Sequence, residues 1–139
     1  DVFKLGNEKF IANKEYDVIF VCGGNTFDYL DRVRKTGLDK FILDFAKKEN
    51  STYVGVSAGS ILAGPDIAIA GDEDPNDIGL TDLKGLCLTD YIIYPHYRKE
   101  LKPQLDEFKK RTGYPIIELE DNQAFILENS VFHYINKDL

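Results

Sequence analysis

Residues 52–66 read TYVGVSAGSILAGPD, an apolar run that passes through Gly55-Val56-Ser57-Ala58-Gly59 into a second apolar run closed by Pro65. Two glycines this close at the end of such a run mark a turn with no room for side chains. A strand that turns at once into a helix is a building unit of α/β sheets. This stretch therefore constrains the fold more than any other. It also lifts Ser57 to the tip of the turn, where its hydroxyl can act as a nucleophile or cap the helix that follows. The residues of the turn leave both readings open.

The rest of the chain repeats the theme. YDVIFVCGG over 16–24 is an apolar run closed by glycines, a buried strand and a turn. Phe27, Leu30 and Val33 follow at helical spacing, with Thr26 as N-cap and Gly37 as stop. Leu38, Phe41, Ile42, Phe45 and Ala46 predict a second helix. TYVGV (52–56) predicts the next strand, and a short helix runs through Leu62 until Pro65 ends it. Residues 71–90 are polar, acidic and turn-rich, a loop region. YIIYP (91–95) predicts a third strand, and 99–112 an amphipathic helix with Leu101, Leu105 and Phe108 inward. Residues 115–119, 124–128 and 131–135 read as closing strands. The alternation predicts one α/β domain over residues 1–139, with a largely parallel sheet and no internal linker or repeat. Ligands of such sheets sit at the carboxyl ends of the strands, where Gly23, Gly24, Ser57 and His96 fall.

Composition narrows the partners. With 139 residues, 43% hydrophobic and 29% charged, the chain reads as a soluble globular domain. A net charge of −7 and a pI near 4.8 argue against a phosphate backbone, so no nucleic acid is expected. No window approaches the length of apolar sequence that spans a membrane. DVFKLGNEKF, the first ten residues, lacks the apolar core of a signal peptide. No membrane partner is expected, and the cytoplasm is the expected location. Cys22 and Cys87 form neither a disulfide framework nor a metal spacing, and both are expected as small buried hydrophobes. The chain has no methionine, even at position 1, and is expected to be processed or part of a longer protein.

A serine nucleophile needs a base, and the chain has two histidines. His133 lies inside VFHYI, where a place on a sheet face is expected. His96, in YIIYPHYR, follows a strand and a proline, where a loop presents groups to a site. An oxyanion hole needs backbone N–H donors. Ala58, next after Ser57, supplies one, and the Gly23-Gly24 turn can supply another. CGGN lacks the spacing of a phosphate cradle, having neither G-x-G-x-x-G nor a following Lys-Ser/Thr. The acid cluster ELEDNQ (118–123) follows His96, which gives the order serine, histidine, acid; α/β-hydrolases place the acid before the histidine. If the strand persists through IIELED, Ile117, Leu119 and Asp121 share one face, and Glu118 and Glu120 are solvated on the other.

Four segments, CGGNTF (22–27), GVSAGS (55–60), YPHY (94–97) and LEDNQAF (119–125), occur in an order and at separations that resemble the peptidase E family. This is the aspartyl dipeptidase and cyanophycinase group of serine peptidases, and the resemblance covers nearly the whole chain. It implies a flavodoxin-like, glutamine-amidotransferase-like sheet with helices on both faces, here without the family's first β-α units. It implies Ser57 as nucleophile, His96 as base and Asp121 as third triad member. Gly24 and Ala58 match the oxyanion-hole donors, Asn25, Asp72 and Arg98 fall near the substrate, and neither metal nor organic cofactor is implied. RKELKPQLDEF replaces the family's longer arginine-bearing segment after the histidine, and Asp121 stands where peptidase E has glutamate. The expectation is a cytoplasmic serine peptidase acting on short peptides. A shortened sheet leaves YDVIFVC as an open pairing edge, so a homodimer or larger assembly is expected. The rival expectation is a catalytically silent relative or fragment with a binding or assembly role.

Overall fold

The computed structural model describes residues 2–6, 8–129 and 131–136. Its elements in chain order are β1 (Val18–Val21), α1 (Thr26–Thr36), α2 (Leu38–Phe45), β2 (Thr52–Gly55), α3 (Ala58–Ala63) and a 3₁₀ turn (Ala68–Asp72). Then come β3 (Ile92–Tyr94), a 3₁₀ turn (Lys99–Leu101) running into α4 (Lys102–Thr112), β4 (Ile116–Glu118), β5 (Gln123–Glu128) and β6 (Val131–Asn136).

The helices begin and end where local chemistry directs. Asn25, not Thr26, is the N-cap of α1: its extended backbone aims the side-chain oxygen at the Asp28 N–H, 3.0 Å away. Thr26 is already the first helical residue. Gly37, at φ 80°, ends α1 and opens α2; a left-handed residue there is the usual glycine C-cap.

The strands form a mixed α/β arrangement of three two-stranded ladders rather than one continuous sheet. β1 and β2 pair in parallel, from Val18 opposite Thr52 to Val21 opposite Gly55. β3 and β4 also pair in parallel, and β5 and β6 form an antiparallel hairpin. Helix α3 joins the two parallel pairs by packing on both β2 and β3. The segment expected as a plain acidic loop has a structural part in this. Leu86 and Leu88 donate from their backbone N–H groups to the carbonyls of Leu62 and Ala63, closing the carboxyl end of α3.

Phe27, Leu30 and Val33 of α1, Ile42 of α2 and Leu62 of α3 meet Ile92 of β3 and Leu105 of α4 in the main core. Each such side chain contributes roughly 1.5–3 kcal/mol by burial. Ile93, Ile117 and Leu119 form a smaller core beyond β3. Leu105 and Phe108 of α4 are buried and Leu101 partly so, which gives that helix its inward stripe. Val18 and Phe20, by contrast, are 54% and 60% exposed. They face a broad groove beside β1 that Phe3, Phe10 and Tyr29 also line.

Both cysteines are exposed, contrary to the expected burial. Cys22 continues the alternation of β1 onto the face shared by Val18 and Phe20, which is open. At Cys87 the chain turns through φ 52° just after Leu86 has taken the inward position. His133 lies on β6 opposite Ile126. Among the described residues, no helix is long and apolar enough to cross a membrane.

Candidate active site

Ser57 connects β2 to α3 with φ 53° and ψ −119°, outside the regions that non-glycine residues favour. The flanking glycines are what allow this. A Cβ on Gly55 would stand 2.5 Å from the Gly59 carbonyl oxygen, and a Cβ on Gly59 would run into the Val21 carbonyl of β1. Ser60 Oγ donates to the Gly55 carbonyl at 2.8 Å, and Tyr53 Oη to the Gly59 carbonyl at 2.7 Å. Burial, aided by the nearby Tyr29, raises the pKa of the Tyr53 phenol above its ordinary value. The turn is thus fixed by close backbone packing and two hydroxyls, neither belonging to Ser57. Ser57 makes no side-chain cap bond to α3. Its Oγ lies 3.1 Å from His96 Nε2 instead, so the capping reading of this hydroxyl is not what the structure shows.

His96 follows the buried strand β3 and Pro95, and has φ 57°. Its loop is pinned to the chain after β4: Leu119 N–H donates to the Tyr94 carbonyl and Tyr97 N–H to the Leu119 carbonyl, each at 2.9 Å. Two residues beyond Leu119, Asp121 sits in a turn closed by Gln123. The Gln123 N–H donates to the Glu120 carbonyl at 3.0 Å, and the Glu120 N–H to Gln123 Oε1 at 2.9 Å. Asp121 Oδ1 lies 2.6 Å from His96 Nδ1. Ser57, His96 and Asp121 are therefore brought into one chain of contacts. Its outer end is open to solvent, the Asp121 side chain being 82% exposed.

The other two acids are placed elsewhere. Ile117 and Leu119 are buried, but β4 ends at Glu118, so Asp121 reaches His96 from a turn and not from the face of a continuing strand. Glu120 is exposed. Glu118 is not simply solvated: Lys102 Nζ donates to it at 2.6 Å and also meets Asp106 at 3.2 Å. Those hydrogen bonds, Glu118 first, raise the pKa of Lys102.

The glycine turn after β1 flanks the serine. A Cβ on Gly23 would lie 3.1 Å from Ser57 Cβ. Gly24 adopts φ 154° and would drive a Cβ to 2.7 Å from the Tyr29 ring. Among the turns, loops and caps of the described residues, the N–H groups of Gly24 and Ala58 donate to no backbone carbonyl.

Asn25 has both ends of its amide engaged, Oδ1 capping α1 and Nδ2 donating to the Pro75 carbonyl at 2.8 Å. Arg98 is exposed two residues beyond His96 and does not line the cavity at Ser57. Asp72 ends the 3₁₀ turn Ala68–Asp72, and its side chain lies outside the described residues. The cavity beside Ser57 and His96 measures about 30 Å³ and is lined by Thr26, Ile69, Glu73, Asp74 and Pro95 among others. Glu73 and Asp74 were not anticipated here. The only sign of them in the sequence is the acidic run Asp72-Glu73-Asp74, which reads like any solvated loop. Among the described residues, no group of three or more His, Cys, Asp or Glu side chains could hold a metal ion.

Three comparisons with known proteins agree. The chain matches the model of peptidase family S51 over residues 5–135. It is 37% identical over 86 residues to an uncharacterized peptidase of Listeria monocytogenes, covering 60% of this chain and 42% of that protein. To peptidase E of Escherichia coli it is 36% identical over 93 residues, covering 65% of this chain and 38% of that one. A crystal structure described as a peptidase E protein from Listeria monocytogenes EGD-e is similar with a TM-score of 0.71 and 31% identity, over 88% of this chain and 60% of that chain. The chain spans less than half the length of these two curated relatives. With the family model taking in all but the first four and last four residues, the chain belongs to peptidase family S51.

Proposed function

We propose that the chain is a serine peptidase that hydrolyses short peptides, on a flavodoxin-like, glutamine-amidotransferase-like α/β scaffold. The observation that carries this reading is the contact chain from Ser57 Oγ to His96 Nε2 at 3.1 Å and from His96 Nδ1 to Asp121 at 2.6 Å, in a member of family S51. The names peptidase and peptidase E borne by relatives support a peptide substrate.

In this mechanism His96 Nε2 takes the Ser57 proton as Oγ bonds to the scissile carbonyl carbon. Asp121 accepts from Nδ1–H, which holds the ring in the required tautomer and stabilises the imidazolium. The N–H groups of Gly24 and Ala58 donate to the oxyanion of the tetrahedral intermediate. Collapse breaks the carbon–nitrogen bond, and His96 returns its proton to the leaving amine. A water molecule then gives a proton to His96 and attacks the Ser57 ester, releasing the acid and restoring the hydroxyl. Each step uses only groups of the protein, substrate and water.

We place the protein in the cytoplasm as a homodimer. The outward apolar side chains Val18 and Phe20 favour association, because large apolar patches on free surfaces mark contact sites.

A dipeptide library tests the reading. The parent should cleave members of it, and Ser57→Ala and His96→Ala should lose that cleavage while melting like the parent. A folded parent that cleaves nothing would support the silent, binding or assembly role instead.

A further inference from the structure

Asp121 Oδ1 meets His96 Nδ1 at 2.6 Å, yet the Asp121 side chain is 82% exposed and has no other hydrogen-bond or ion-pair partner among the described residues. An exposed pair of this kind gains little from its own attraction and does not by itself fix two side chains in one geometry. The aim of Asp121 therefore comes from the backbone beneath it. Asp121 and Asn122 occupy the centre of a turn in which the Gln123 N–H donates to the Glu120 carbonyl at 3.0 Å, and both residue types suit such a place. Gln123 closes the turn a second time with its side chain, as Oε1 accepts the Glu120 N–H at 2.9 Å. Its Nε2 donates to Asn136 Oδ1 at 2.9 Å, and Asn136 is its opposite number on β6. A half-buried amide with both ends engaged thus fastens the turn to the hairpin. On the near side the turn is fixed by backbone alone, through the bonds of Leu119 to Tyr94 and Tyr97. On the far side a side chain shares that task.

From these contacts we infer that Gln123 is a positioning residue for the triad: by closing the turn it holds the Asp121 carboxylate on His96 Nδ1. The inference rests on the peptidase reading and deepens it, since only the triad gives the turn a task in catalysis. Gln123 does not line the cavity beside Ser57, and it touches neither Ser57 nor His96 by hydrogen bond. Its effect on the reaction passes through Asp121. A carboxamide suits the place because it offers an acceptor and a donor at once, where a carboxylate offers acceptors only and a methyl neither. Without the amide, the backbone bond from the Gln123 N–H still closes the turn, but the Glu120 N–H loses its acceptor and Asp121 loses its fixed direction. Small displacements of a catalytic group are costly in rate, so the loss belongs to kcat and leaves substrate binding alone.

The test is a double-mutant cycle on a dipeptide that the parent cleaves, read together with the proton NMR signal of His96 Nδ1–H. Gln123→Ala should lower kcat by about 10-fold, the upper end for one neutral hydrogen bond, with KM little changed. In an Asp121→Asn background the same substitution should lower kcat no further, because residues that act as one unit are not additive. The Nδ1 proton, kept from exchange by Asp121, should give a downfield signal in the parent, vanish in Asp121→Asn and broaden in Gln123→Ala. Gln123→Glu keeps the acceptor for the Glu120 N–H and should restore kcat to within a fewfold of the parent. Gln123→Met keeps the length of the side chain, loses both bonds, and covers the case in which Gln123→Ala folds poorly. Parental kcat in Gln123→Ala or Gln123→Met, a full further loss in the Asp121→Asn background, or a change confined to KM overturns the inference and leaves the peptidase reading intact. An Nδ1 signal as sharp in these variants as in the parent also overturns it. A folded parent that neither cleaves peptides nor takes a fluorophosphonate label on Ser57 removes the peptidase reading, and this inference with it.

Discussion

Ser57 Oγ and His96 Nε2 stand 3.1 Å apart across 39 residues of sequence, and both residues hold a positive φ, 53° and 57°. Non-glycine residues held in rare backbone regions cost of order 1–3 kcal/mol each and persist only where the surroundings over-determine them. Here the surroundings are identifiable. The Val21 carbonyl packs on Gly59 behind the serine, and the two bonds from Leu119 fix the histidine loop. The strained pair is held by backbone, not by the two side chains that meet.

It follows that removing the serine hydroxyl should leave the fold alone. Ser57→Ala is predicted to abolish peptide hydrolysis while changing stability by less than about 1 kcal/mol, since no cap bond is lost. Melting and turnover measured on the same preparation check this. A clear loss of stability with activity retained would restore the capping role.

The third member of the contact chain can be told from its neighbours by charge removal. Asp121→Asn is predicted to lower kcat by orders of magnitude, as loss of the orienting acid does in other triads. Glu120→Gln should stay within a fewfold of the parent. Glu118→Gln should do the same and lose at most about 1 kcal/mol of stability through its Lys102 pair, which is partly open to solvent. Steady-state kinetics on the three variants decide it, and a damaging Glu120→Gln would mean that the wrong acid has been assigned.

The glycines of the nucleophile turn should be far less replaceable than those elsewhere. Gly59→Ala drives a methyl into the Val21 carbonyl, which is backbone and cannot rotate away. We predict a loss of about 3 kcal/mol together with loss of activity. Gly37→Ala meets open space and only the left-handed cost at φ 80°, about 1–2 kcal/mol, with activity kept. Chemical denaturation of the two variants gives the comparison.

Alkaline pH should loosen the same turn through Tyr53. The buried phenol has a pKa raised above its ordinary 10.0, so the unfolded chain releases this proton first. Stability is then full below pH 10 and falls as pH rises through the folded pKa. Tyr53→Phe should cost about 1 kcal/mol at neutral pH through the lost bond to the Gly59 carbonyl, yet show a shallower decline above pH 10. Denaturant midpoints at pH 8 and pH 11 for both proteins check the sign.

The sequence made the nucleophile turn and the histidine loop legible because both are local. Gly55, Ser57 and Gly59 lie within five residues, and Pro95 with His96 directly follows an apolar strand. The four parallel strands and α1, α2 and α4 were readable from apolar runs and spacing for the same reason. Asp121 was named by its place in a motif, while the strand alternation offered for it breaks down where β4 stops at Glu118. Asp74 could not be seen at the site at all: its partner Thr26 is 48 residues away, and no periodicity links an acidic loop to a helix start. Cys22 was misplaced because alternation in β1 sets faces without saying which face is covered, and Cys87 because the chain turns at φ 52° after Leu86 has taken the inward position.

Association should be visible in solution. Val18 and Phe20 leave an apolar face beside β1, and light scattering across micromolar concentrations is predicted to give at least a dimer mass. A constant monomer mass would contradict this.

The most direct test of the triad is covalent. A fluorophosphonate reagent should label the folded parent once per chain, with mass spectrometry placing the adduct on Ser57, and His96→Ala should abolish labelling while remaining folded. Labelling that persists undiminished in His96→Ala, or a folded parent that never labels, would contradict the account of Ser57 as a nucleophile activated by His96.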